Sequence, residues 1–259
     1  MITKKVLLAG CVAVCCLTSR AQFVSLGVRG GISIPNLTTG TAYKNPINTG
    51  YKSSTGPDAG IFAEFKLTDV FSIQPAIAYS AQGGQKKGYQ AFPVTPEWAA
   101  MFPPGQVPQY LYANFKSQAK INYLMVPMLA KFTWPFNHSK SKFAFFLSAG
   151  PFVSFLLSAK QVTTGNSKIY LDEGHQQPLP VGSQSFDNTE DIKSQLHSFN
   201  GGIDGHAGIS YKISHQNLVF FEIGGNYGFF NIQKGAENGK NNVGAATILV
   251  GYAYTFFKK

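Results

Sequence analysis

His206, Ser210 and Glu222 are the residue types of an acyl-transfer or hydrolysis set, with imidazole as base, hydroxyl as nucleophile and carboxylate as orienting group. They sit among a wider group of titratable residues: Glu64, Lys66, Lys131, Asp204, His206, Lys212 and Glu222. The competing reading of that group is an interior network of ion pairs and hydrogen bonds. It outweighs the catalytic one, because matches of two or three residue types arise easily and a buried charge must in any case be paired. No catalytic residue is therefore assigned. The histidines are His138, His175, His197, His206 and His215, and none lies at metal-ligand spacing from another His or a Cys. Glycine clusters at Gly27–Gly31, Gly201-Gly202 and Gly224-Gly225 precede no helical pattern, so they are not phosphate loops. They mark strand bends or tight packing. No metal and no cofactor is expected.

What must position these residues is legible in the patterning. Charged residues make up 13% of the 259-residue chain and aromatics 14%, while the mean hydropathy is -0.04. Soluble domains carry about 25% charge. No apolar run reaches the roughly 18 residues that a membrane helix needs. Eight stretches instead alternate apolar and polar residues with period two, each long enough to cross a membrane as a tilted strand of about 9–11 residues. They run near Val24–Ile34, Asp58–Leu67, Val70–Ala81, Ala119–Thr133, Phe143–Ser158, Phe199–Ile213, Leu218–Phe230 and Gly244–Phe257. One face of each is continuously apolar. The other is small, glycine-rich and sparsely charged, which suits a narrow lumen. The titratable group named above falls on those inward faces.

The connections alternate in length. Thr68-Asp69, Pro135–Lys142 and Ser214–Asn217 are short; Pro35–Pro57, Gln82–Gln118 and Lys160–Ser198 are long; Asn231–Val243 is intermediate. Short turns on one side and long loops on the other are the pattern of an outer-membrane barrel. The expected fold is all-β: an eight-stranded antiparallel up-and-down transmembrane β-barrel, with both termini periplasmic. Gly251, Tyr254 and Phe256 in the last strand resemble the C-terminal signal read by the barrel-assembly machinery, although the chain goes on through Phe257 to Lys258-Lys259 and has Leu249 where a polar residue is usual.

The N-terminus supports export. Lys4 and Lys5 precede an apolar stretch from Val6 to Leu17, and Ser19-Arg20-Ala21 puts small residues before a cleavage point at Gln22. The domains expected are a signal peptide over 1–21 and an outer-membrane barrel domain over 22–259. Leu8-Ala9-Gly10-Cys11 is a weaker match to a lipoprotein box. Cys11, Cys15 and Cys16 all leave with the signal, so the mature chain has no disulfide, thiolate or Cys-based metal site. Loss of Lys4, Lys5 and Arg20 takes three charges from the formal +10 and leaves +7. An exported chain with no dense Lys/Arg run is not a nucleic-acid binder. Anionic lipid or a polyanionic surface is the better match.

Several segments resemble the PorT-like outer-membrane β-barrel family of Gram-negative bacteria. They are Gly60-Ile61-Phe62-Ala63-Glu64-Phe65, Phe71-Ser72-Ile73-Gln74-Pro75 running into Tyr79-Ser80, Tyr123-Leu124-Met125-Val126-Pro127 with Lys131, Ala149-Gly150-Pro151-Phe152, Asp204-x-x-Ala207-Gly208 and Gly225-Asn226-Tyr227-Gly228. The resemblance spans nearly all of the mature chain and implies an eight-stranded barrel. Met125 departs from it, standing where an acidic residue is expected, which puts one lumen salt bridge in question.

The second long connection is the candidate for recognition. It carries Phe92, Trp98, Phe102, Tyr110 and Tyr112 among five prolines; stiff backbone and large rings suit a partner surface. Rings packed on neighbouring loops are the equally weighted alternative. The function expected is a non-enzymatic outer-membrane protein of the cell envelope, presenting loops to an envelope partner. Its other partners would be outer-membrane lipid and, during biogenesis, the assembly machinery. A lipid A-modifying enzyme and a minor channel are the alternatives, although eight strands leave little room for a pore.

Overall fold

In a computed structural model of the chain, the described residues are 23–39, 45–139, 141–235 and 239–257. The expected signal peptide and its cleavage point lie outside them.

Among the described residues, eleven strands form one antiparallel sheet: β1 (Phe23–Thr38), β2 (Gly56–Lys66), β3 (Phe71–Pro93), β4 (Tyr110–Ser139), β5 (Phe143–Thr164), β6 (Asn166–Tyr170), β7 (Pro178–Ser185), β8 (Asn188–Asp191), β9 (Phe199–Lys212), β10 (Asn217–Gly228) and β11 (Asn242–Phe257). Eight of them close a ring in the order β1-β2-β3-β4-β5-β9-β10-β11. The first and last strands seal it, from Phe23 opposite Phe257 to Thr38 opposite Asn242. Closure leaves the ring no unpaired edge, as backbone in hydrocarbon requires. The short turns, Phe23 and Phe257 all lie at one end of the ring, and the long connections at the other.

Outward-facing side chains are apolar on every ring strand. Val28, Ile61, Ile77, Met128, Val153, Ile203, Phe221 and Val250 are all exposed. In water this would be a large uncovered apolar surface; around a closed ring it is a lipid-facing belt. Trp134, Phe136, Phe143 and Phe256 gird its short-turn end, where rings that tolerate both lipid and water belong.

The ring strands stand where the alternation places them, but three are much longer than a membrane crossing, among them β5 with 22 residues. β3 has 23 residues and β4 has 30. The connection expected as a loop over Gln82–Gln118 is mostly a hairpin continuing out of the ring, paired from Gln82–Ile121 to Pro93–Tyr110. Only the segment between Pro93 and Tyr110 is a true loop, and it includes the one-turn helix α1 (Pro96–Ala99). The physical reason is that the outward face turns polar above Leu124 while the backbone alternation continues. Lipid sets the length of the apolar face and not the length of the strand. Likewise Lys160–Ser198 holds the end of β5 and the short strands β6, β7 and β8.

The lumen is filled in layers. Near the short-turn end Phe62, Phe146 and Phe220 pack edge-to-face, with centroid separations of 5.7 and 6.1 Å. Each ring lies over a glycine: a Cβ on Gly27, Gly208 or Gly251 would come within 2.3, 2.4 or 2.2 Å of Phe62, Phe146 or Phe220. A polar layer follows, and then an apolar layer that includes Ile121, Tyr123, Met125 and Phe152.

Candidate functional site

Two places collect the candidate residues: the lumen's polar layers and the far end of the β3–β4 hairpin.

Period two along β1 turns Leu26 and Val28 to lipid and Arg29 inward. Arg29 is buried, and it is the only arginine after Arg20. Its Nη1 donates to Glu222 Oε1 at 3.1 Å, and its Nη2 lies 4.0 Å from Asp204 Oδ2. Asp204 Oδ1 in turn lies 3.7 Å from His206 Nε2. Asp58, register partner of Ser80, completes this layer around a void of about 10 Å³ that Met125 also lines. That is room for about one water. Arg29 Nε, Asp58 Oδ1 and His206 Nδ1 have no protein hydrogen-bond partner among the described residues and mark where such a water would bind. One guanidinium and one imidazole thus face three carboxylates. Lys131 and Glu64 form a separate pair at 2.7 Å, with Ser72 Oγ donating to Glu64 at 2.8 Å and Lys131 Nζ 4.6 Å from the Phe146 centroid.

Of the residues expected in one lumen network, Asp204, His206 and Glu222 gather around Arg29, and Glu64 and Lys131 pair below the phenylalanine layer. Lys66 and Lys212 form no hydrogen bond or ion pair with either group among the described residues, though they share the cavity that Glu64 and Lys131 also line. They line the short-turn mouth with Asp69 and His215, around a cavity of about 280 Å³. Sequence reasoning missed Arg29 and Asp58. Arg29 was hidden inside the Gly27–Gly31 cluster, although its inward parity was readable. Asp58, on β2 and separated from Met125 by β3, lines the same void and supplies an acid at this level.

The Ser/His/acid geometry is not assembled. Ser210 Oγ donates to the Ala144 carbonyl at 3.4 Å, and Glu222 is engaged by Arg29. Neither His206 nor Glu222 hydrogen-bonds Ser210 among the described residues. All three are buried on the lumen side.

At the hairpin end, Phe92, Trp98 and Phe102 pack on Leu111, Ala113, Phe115, Ile169 and Leu179. Phe186 stacks on Phe115 at 4.6 Å and meets Phe92 edge-on at 5.5 Å. Tyr110 and Tyr112 are half-buried, with Tyr112 opposite Tyr170. These rings give the tip a core of its own. Tyr89, Met101 and Val107 are what it exposes. Tyr89 is stacked on His175 at 3.5 Å. Lower on the hairpin, above the lipid belt, Lys86 is buried. Its Nζ donates to Pro46 and Ile47 carbonyls and sits 4.8 Å from the Tyr51 centroid. Burial without an acidic partner pushes its ammonium down to about 8.

Among solved structures, the chain is similar to Neisserial surface protein A at 14% identity and a TM-score of 0.39, covering 91% of this chain and 98% of that one. It is similar to Ail, the attachment invasion locus protein of Yersinia pestis, at 9% and 0.37, covering 90% and 98%. It is similar to the outer membrane protein OprG from Pseudomonas aeruginosa at 11% and 0.41, covering 92% and 98%. No curated protein matches the chain. The family profile described as outer membrane protein beta-barrel domain matches residues 19–234, and the chain, a closed eight-strand ring with a lipid-facing exterior, belongs to that family.

Proposed function

We propose that this chain is a non-enzymatic, PorT-like outer-membrane barrel that presents its long β3–β4 hairpin and the neighbouring long connections to a partner at the cell surface, with both termini in the periplasm. The observation that carries this reading is the hairpin itself. A tip with its own aromatic core is a rigid platform, and rigid platforms lose little entropy when they bind. The unassembled Ser210 geometry supports the non-enzymatic part. The layered lumen favours a scaffold over a pore. In this reading its further partners are outer-membrane lipid and, during biogenesis, the barrel-assembly machinery.

The test is affinity capture from native membranes with the parent chain, with Tyr89→Ser/Met101→Ser/Val107→Ser, and with a deletion of Phe92–Pro108. All three should give heat-modifiable barrels, because ring closure involves none of these residues. The parent should retain a defined envelope protein that both variants lose. An identical capture profile for all three would refute the reading.

A further inference from the structure

Above the lipid belt, the outward wall of the hairpin sheet is basic. Register places Lys120 opposite Lys160, and Lys87 opposite Lys116, on the same face. Lys52 joins that face by bridging Gln85, between the two levels. All five lysines are exposed. None of the five enters an ion pair among the described residues. Asp191 stands opposite Lys160, and its Oδ1 accepts from the Lys193 backbone N–H. Like charges directly opposite each other destabilise a sheet. Lys87 and Lys116 face no acid in the strand register, and Lys160 meets one only on the side away from Lys120, so the wall as a whole attracts an anion.

Their height selects the anion. Lys120 is four residues beyond Leu124, the last apolar outward residue of β4, and Lys160 is three beyond Leu157. At about 3.3 Å per residue and a tilt near 40°, they stand about 10 Å and about 8 Å above the belt's edge, at headgroup level. Lys193 marks that edge, donating from Nζ to the Leu157 carbonyl at 2.8 Å. The face looks sideways along the membrane plane, where lipid headgroups stand, and not outward, where a soluble polyanion would arrive.

We infer that this wall is a binding face for phosphate groups of the outer-leaflet lipid, with Lys120 and Lys160 as the lower row and Lys52, Lys87 and Lys116 above. The inference rests on the orientation proposed above, long connections outward. It does not depend on the hairpin tip, so lipid binding and partner capture can fail independently.

The experiment is native mass spectrometry of the full barrel in neutral detergent doped with a bisphosphorylated disaccharide glycolipid. Parallel arms use the same lipid after phosphatase treatment and inorganic pyrophosphate. The phosphorylated lipid should bind at least about tenfold tighter than its dephosphorylated form, and the preference should shrink as salt rises. Lys116→Gln/Lys120→Gln/Lys160→Gln should weaken it about tenfold or more. Lys66→Gln/Lys212→Gln, at the short-turn mouth on the opposite end of the ring, should leave it unchanged. Without lipid, the triple variant should melt no lower than the parent, since it removes like-charge pairs. Equal affinity for the two lipids, an unaffected triple variant, or pyrophosphate binding as tightly as lipid would each overturn the inference.

Discussion

Arg29 carries more than any other single side chain in the lumen, because it is the fixed positive charge among Asp58, Asp204 and Glu222. Removing one partner of a buried pair leaves an uncompensated charge and typically costs about 3–5 kcal/mol. Arg29→Met should therefore lower the unfolding free energy in lipid vesicles by about 3 kcal/mol or more, and adding Asp204→Asn and Glu222→Gln should recover much of the loss. Urea titration of refolded barrels measures both. Lys86 gives a pH prediction. Its folded value of about 8 lies below the roughly 10.4 of a free lysine. Between those values the undocked loop binds more protons than the docked one, so docking of residues 45–52 onto β3 should strengthen as pH rises from about 8 towards 10 and should not change with this group below about 7. Hydrogen exchange of the Thr49–Lys52 amides, corrected for intrinsic rates, reads this; Lys86→Met should abolish the pH dependence. Which faces carry charge was legible from alternation alone. Which charges pair was not, since Glu64 with Lys131 and Arg29 with Glu222 meet across an intervening strand in the closed lumen, which no single strand encodes.

At the scale of elements, the glycine-rich polar faces acquire a purpose. Gly27, Gly208 and Gly251 are the floors on which the three lumen phenylalanines lie. Gly208→Val should displace Phe146 and cost about 1–3 kcal/mol as overpacking. Adding Phe146→Ala should not restore the parent's stability, because the aromatic layer would stay broken; the same urea titration checks both. The eight ring strands could be read from period two and connection length because lipid imposes a length and a polarity on each. The upper halves of β3 and β4 could not. Above Leu124 the outward face becomes Asn122, Lys120 and Gln118, and polar residues in a long connection look like loop unless the partner strand is known.

The whole molecule is a closed, filled ring carrying a projecting platform. A lumen blocked by a phenylalanine layer, an Arg29-centred layer and a further apolar layer should show no steady conductance in planar bilayers. Arg29→Ala with Phe146→Ala should be needed before single-channel events are seen. The central claim is that the long hairpin stands at the cell surface and the short turns face the periplasm. All three cysteines lie at or before Cys16, and replacing them with serine leaves single cysteines that can be read without background. The most direct test is labelling of Met101→Cys and Asp69→Cys by a membrane-impermeant maleimide in whole Gram-negative cells. Met101→Cys should be labelled in intact cells and Asp69→Cys only after the outer membrane is permeabilised. Labelling of Asp69→Cys in intact cells, with Met101→Cys protected, would contradict it.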